Sequence, residues 1–468
     1  MSGNPKQVDY HKVSPTLPPK YRYMQVFPSN LPNASIAGLT QNSVPIQFKI
    51  PGGVVFNFAQ SKLGYCIDAA AQANLQYTWI VDDCLAPFMN VQLADGNGTL
   101  MVDMQYAQRW SKLSDKLYSD RTEFMTRSPS DLSYPSNVVA GSNVAVPITT
   151  VTAPNVYNYP AQITANQGFG FASYAEPKYF AIGAVANSAA NPATGALAVA
   201  KYIKLGHLRN TLFERDVNLY FGQSSVYLNL TTAPLSTFVF STLSATVMNT
   251  PIATTAAVNL NQLCLYLAVE DNQLIRDSVI QKYNHGGINL RSDYLAPYQN
   301  LITGPAAQVG FEIPQQKAKL KRIINGIFAP TQTVGGLTDA QNVNGAKLTT
   351  YQSTIGDKQL QNYLVSCLFS TNALLLQGDY RENEQYLRNS ILGGIGQYQT
   401  NFMHIDDFSG FDAITHNEER ANEETGIDLN VPRHYQIAMT LPNNQVALHT
   451  WAILSKDLHV GPDGIAWM

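Results

Sequence analysis

The chain has 468 residues, a formal charge of −3 and only 13 % charged residues, while hydrophobic residues stand at 45 %. The charged share is about half of what soluble domains carry, which excludes a disordered chain and a polyelectrolyte that grips nucleic acid along its whole surface. Asn, Gln, Ser, Thr and Tyr fill the gap, a composition suited to surfaces that other protein covers, where an unpaired charge costs far more than a neutral polar group.

The length allows two or three cores. The first dozen residues, MSGNPKQVDYHK, lack the apolar run of a secretion signal, and no apolar stretch is long enough to span a membrane. Manufacture in a cytosol-like compartment is expected. Cys66, Cys84, Cys264 and Cys367 are far apart, each in or beside an apolar run, with neither CxxC nor zinc spacing. They read as reduced core residues.

Residues 1–45 form a Pro-rich, weakly basic arm whose prolines exclude helix and interior strand. It is either a loose tail or an arm that orders along a neighbour. Strands are expected from Val44 onward, at Gly53–Phe58, Leu63–Ile67 and Gln76–Val81.

Met89–Tyr118 is the stretch around which the chain is organised. Val91 and Leu93 alternate with polar residues, and Asp95-Gly96-Asn97-Gly98 supplies a turn. Val102, Tyr106, Trp110, Leu113 and Leu117 then recur at helical spacing. Strand, tight turn and a helix lying on a flat apolar surface are predicted: a packing unit, since its polar residues do not converge.

A long projecting loop is expected at about 128–200, where charge nearly vanishes. Strands return after Lys201, with Val217, Leu219 and Phe221 alternating, then Val226, Leu228 and Leu230, and Gly-Gln-Ser between them reads as a hairpin turn. A second strand-rich region begins near Val258. Asp379–Leu392 reads as a helix stopped by Gly393-Gly394, and strands at Tyr435–Met439, Val446–Trp451 and Leu458–Met468 complete it. Two strand-rich halves, each with one helix, fit two tandem eight-stranded jelly rolls: an arm at 1–45, a first barrel at 46–235 and a second at 236–468.

Reactive constellations are weak. Asp406 and Asp407 lie near His404 and Asp412, but neighbours on a strand point to opposite faces, so the two carboxylates cannot easily share a site. A polar loop is the expectation there and at Asp82-Asp83. The histidines are dispersed, and no nucleophile elbow or phosphate loop is present. Lys317, Lys319, Lys321 and Arg322 are the only dense basic run, a solvated or intersubunit strand face with an alternative role against phosphate. Asn33, Asn97 and Asn229 open N-x-S/T triplets that read as chance. No catalytic, cofactor-binding or metal-ligating residue is assigned.

Four stretches together resemble the double jelly-roll major capsid proteins of the adenovirus and tailless-phage lineage, most of all those of virophages and polinton-like viruses. They are the Met89–Tyr118 unit with Gly96, Gly98 and Tyr106; LFERDVNLYFGQSSVYLNLTTAP; DYRENEQYLRNSILGGIGQYQTNFMHIDDFSG; and the closing GIDLNVPRHYQIAMT with LHTWAILSKDLHVGPDGIAWM. The resemblance implies an all-β fold with a few short helices. It further implies a homotrimer forming a pseudo-hexagonal capsomer, and an icosahedral shell assembled inside a host cell. Partners would be neighbouring capsomers and minor or penton proteins, with a weak genome or inner-layer contact through Lys317, Lys319, Lys321 and Arg322. It implies no enzyme activity, cofactor or small-molecule substrate. The competing readings are a secreted β-sandwich that binds or cleaves carbohydrate, against which stand only four scattered tryptophans, and a viral vertex or spike protein.

Overall fold

The computed structural model describes residues 20–69, 77–81, 84–118, 179–183, 199–242, 257–303, 306–328, 350–361, 364–366, 403–408, 426–440 and 446–467. Two sets of eight strands make up its frame. The first set is Tyr21–Val26 (β1), Pro45–Ile50 (β2), Phe56–Ala69 (β3), Phe88–Asp95 (β4), Leu100–Gln105 (β5), Val199–Lys204 (β6), Val226–Thr232 (β7) and Val258–Glu270 (β8). The second set is Ile288–Ile302 (β9), Ala306–Ile313 (β10), Lys319–Phe328 (β11), Thr350–Ile355 (β12), Lys358–Gln359 (β13), Met403–Asp407 (β14), Arg433–Thr440 (β15) and Val446–Gly461 (β16).

The sheets run β1-β8-β3-β6 and β2-β7-β4-β5 in the first set, and β9-β16-β11-β14 and β10-β15-β12-β13 in the second. In the first set the first strand pairs with the eighth, the second with the seventh, the third with the sixth and the fourth with the fifth, all antiparallel. The second set repeats that scheme. Such nested pairing is one long hairpin rolled into a two-sheet barrel, which is a jelly roll. The chain therefore holds two jelly rolls of identical strand order.

Alternation builds the core. In β7 and β2 every second residue is buried, and the register aligns Phe48, Leu228, Leu93 and Val102 in one row across four strands. In the partner sheet Val26, Leu265, Leu63 and Ile203 form the matching row. Rows of Leu, Val, Ile and Phe suit a pleated surface that must bury one face.

Several sequence expectations change. Residues 20–45 are not a separate arm, because β1 is hydrogen-bonded at the open edge of the first barrel, where it pairs with β8. An edge tolerates nearby prolines because only one side of the strand must pair. The division at 235/236 also moves. The strand beginning at Val258 hydrogen-bonds to β3 and closes the first barrel, so the barrels are joined after Glu270 by the helix Gln273–Asn284. That helix was missed, although Asn272 caps it by accepting from the Leu274 N–H, Ile275 and Val279 are buried one turn apart, and Gly286-Gly287 follow.

The Gly-Gln-Ser turn is not a hairpin. Asn218–Leu219 pairs with β3, whereas β7 pairs with β2 and β4 in the opposite sheet. Gly222 therefore carries the chain between sheets, at φ +64°, with the Tyr283 hydroxyl where a Cβ would sit. The segment 119–178, most of the expected projecting loop, and the expected helix Asp379–Leu392 lie outside the described residues, as do Asp82-Asp83, Cys367 and Asp412. Cys66 and Cys264 are thiols on the outer face of the β8–β3 pair, and burial pushes both up from the ordinary thiol range.

Glu270 fastens the edge. Its carboxylate is fully buried and accepts from the Lys20 and Asn272 backbone N–H groups and from Asn218 Nδ2. Glu270→Ala leaves three donors stranded, at about 1 kcal/mol or more each. The expected result is a lower urea midpoint, with hydrogen exchange rising first across Tyr21–Val26; an unchanged exchange pattern there would refute the assignment.

Candidate functional site at the seam between the barrels

Among the described residues no group of three or more His, Cys, Asp and Glu side chains is placed to hold a metal ion. What the fold does build is a seam. The helix Ala107–Tyr118 leaves β5 and lies against the second barrel. Its start is not where the apolar spacing put it: Val102 is still in strand, and Tyr106 turns the corner at φ +55°. A left-handed tyrosine costs roughly 1–2 kcal/mol. The position is held because the Tyr106 hydroxyl donates to Gln299 Oε1 and its ring meets His449 edge-on at 4.6 Å.

From that corner the helix sends Arg109, Trp110 and Leu113 inward, all buried. Trp110 packs on Trp451 with ring centroids 5.4 Å apart, and its Nε1 donates to the Arg209 carbonyl at 3.1 Å. Leu113 sits over Gly326, where a Cβ would lie 3.0 Å from the leucine methyl. The glycine lets the helix approach β11.

This contact explains β16. Ten consecutive residues, Val446–Ser455, are buried, because both faces of the strand are covered. Thr450 faces the interior of the second barrel, where its hydroxyl donates to Asn325 Oδ1. His449 and Trp451 face the helix of the first barrel.

Arg109 and His449 meet at the seam. Arg109 lies over the Phe328 ring, 4.7 Å from its centroid, and donates through Nη1 to His449 Nε2. Burial first, and then the Arg109 charge, push His449 well below the ordinary imidazole range. His449 is therefore neutral and accepts at Nε2.

Two further pins cross the seam. Asp293 on β9 is bound by Lys321 Nζ at 2.8 Å and by Asn210 Nδ2 of the first barrel at 3.2 Å. Burial pushes the Asp293 carboxyl up, but the Lys321 and Arg215 charges and these hydrogen bonds outweigh it and hold the group below the usual carboxylate range. At the chain's end the strand Gly464–Trp467 folds back on β16, and Trp467 Nε1 donates to the Leu100 carbonyl at 2.7 Å. Lys456 lies over both Tyr294 and Trp467.

The basic run takes a different role from the one expected. Lys319 pairs with Asp428 at 3.6 Å, Lys321 with Asp293 at 2.8 Å and Arg322 with Asp407 at 3.0 Å. A register shift between Leu320 and Arg322 turns successive side chains out of one face. Only Lys317, ahead of the strand, is exposed. Three of the four cations are thus engaged by this chain's own carboxylates, which removes them as a phosphate-facing strip.

The Asp406 region is not a polar loop. It is β14, and adjacent residues diverge as the pleat requires: Asp407 goes to Arg322, while Asp406 enters the barrel. There it accepts from the Tyr435 hydroxyl at 2.8 Å, Ser353 Oγ at 3.0 Å and Gln361 Nε2 at 3.1 Å, with His404 Nε2 also at 3.1 Å. Asn325 Nδ2 donates to Tyr435 and approaches His404 Nδ1. Burial raises the Asp406 carboxyl, but His404 and the hydroxyl donors outweigh it and the net shift is downward. Buried polar networks of this kind help to fix a unique core. Nothing in the sequence marks them, because their members come from five strands or turns far apart in the chain.

No protein-family model matches the chain, and no curated protein does. Solved structures do. The mavirus major capsid protein superposes with a TM-score of 0.53 and 9 % identity, over 97 % of this chain and 92 % of that one. A chain of the Sputnik virophage structure superposes with a TM-score of 0.50 and 12 % identity, over 97 % of this chain and 89 % of that one. At such identities the likeness is one of fold: the described residues have the double jelly-roll fold.

Two outcomes follow from the seam. Trp110→Ala empties a fully buried site and is expected to cost about 3–5 kcal/mol, read as a lower denaturation midpoint; a loss below about 1 kcal/mol would contradict the packing described. The second concerns pH. Unfolded His449 takes a proton near pH 6.5 and folded His449 does not, so this group's contribution is complete above about 6.5 and declines below it by at most ~1.4 kcal/mol per pH unit. Asp293 and Asp406 are held below the carboxylate range and titrate lower. Wild type should therefore lose more stability than His449→Gln between about pH 7.5 and 5.5 in urea titrations; parallel losses would remove His449 as the cause.

Proposed function

We propose that this chain is the major capsid protein of an icosahedral virus, working as a homotrimer whose six barrels form a pseudo-hexagonal capsomer of the virion shell. The observation that carries this reading is the pair of identically ordered jelly rolls joined along a built seam, over the same extent as the mavirus major capsid protein. Two barrels side by side give each subunit two near-equivalent lateral units. Three such subunits then present six sides to their neighbours under a threefold axis.

Composition supports the same reading. A surface low in charge and rich in amides and hydroxyls can be covered by neighbouring capsomers, and by minor and penton proteins, without stranding ions. The seam residues act as scaffold, since their polar groups are directed at one another. The basic run drops out of the proposal, because Lys319, Lys321 and Arg322 pair with this chain's own carboxylates. Binding of the genome or an inner layer is therefore not assigned to it.

Light scattering on the purified protein, with negative-stain images of the same fraction, tests this directly. A mass of three chains with hexagonal outlines or closed shells is expected. A monomer across a wide concentration range would overturn the proposal.

A further inference from the structure

The described chain contains two Asn-Gly steps in opposite surroundings. Asn325-Gly326 is in the centre of β11, paired on both sides by β14 and β16. The Asn325 carboxamide is buried and tied at both ends, to Tyr435, His404 and Thr450. Asn97-Gly98 lies in the exposed turn between β4 and β5. Asn97 donates its backbone N–H to Asp95 Oδ1 at 2.9 Å, and its carboxamide has no partner among the described residues.

We propose that Asn97 is a modification site of the folded protein, converting spontaneously through a cyclic imide to aspartate and isoaspartate. In this step the Gly98 backbone nitrogen forms a bond to Asn97 Cγ. The Cγ–Nδ2 bond breaks, and Nδ2 leaves as ammonia with the proton from the Gly98 amide. Water then opens the ring at either carbonyl, giving aspartate or the isomer in which the backbone runs through the side chain. No oxidant or enzyme is needed.

The geometry favours the attack. Gly98 has no Cβ to obstruct it, stands at φ +88°, and has no atom within 4 Å of the Cβ position. Its N–H makes one long bond, 3.2 Å to the Asp95 carbonyl. The product matters locally. A new carboxylate would stand beside Asp95, whose Oδ1 organises the turn by accepting from Asn97 and Thr99. The isoaspartyl form adds a backbone carbon at position 97, three residues before Leu100, whose carbonyl anchors Trp467. This chemistry stands independently of the shell reading.

The experiment is to hold the native protein at mildly alkaline pH and body temperature, sample over weeks, and map peptides by mass. A urea-unfolded sample and Asn97→Gln are run beside it. A gain of one mass unit is expected at Asn97 but not at Asn325 in the native protein, at both in urea, and at neither in native Asn97→Gln. The proposal falls if native Asn97 stays intact while the unfolded chain reacts, or if Asn325 reacts as fast as Asn97 in the native state.

Discussion

The burial of Trp110 against Trp451 is the contact on which the rest of the architecture leans. Each barrel has its own nested hairpin and apolar rows. Two barrels in one chain would still be free to move unless something filled the space between them. The helix Ala107–Tyr118 does so, and it is effective because it belongs to the first barrel through β5 while burying Trp110 and Leu113 on the second. Aromatic pairs of this size remove large apolar areas from water and add a geometric preference.

The polar groups at the seam set its alignment. Arg109 with neutral His449, Asp293 between Lys321 and Asn210, and Trp467 on the Leu100 carbonyl each require one relative placement of the barrels. Desolvated charges add little net stability but are costly when unpaired. A slipped seam would leave Arg109 buried without His449 and would take Asn210 away from Asp293.

The sequence revealed what is periodic. The alternation in β4 and β7, the Asp95–Gly98 turn and the buried Trp110, Leu113 and Leu117 were all visible in it, as was the double jelly-roll class. Edges and connections were not. The strand Tyr21–Val26 is surrounded by prolines, and its pairing with β8 depends on residues about 245 positions away. Val258–Glu270 looked like the start of a second half, because strand propensity does not say which sheet a strand joins. The stretch Val446–Ser455 lost its alternation where both faces are covered. The basic run looked like a solvated or intersubunit strand face, since its acidic partners, Asp293, Asp407 and Asp428, are distant in sequence.

Nested pairing also sets an order of events during synthesis. Because β1 pairs with β8, the first barrel cannot close until Glu270 has emerged, by which time the strands from β2 to β7 are already made. The second barrel is later still, since β16 is the central partner of both β9 and β11 and carries the Trp451 side of the seam. Long-range closure of this kind is slow, and open strand edges are exposed while it waits. For most of its time on the ribosome the chain is thus an unfinished barrel with unpaired edges. The arrival of β16 lets the second barrel close and brings Trp451 to the seam with the first.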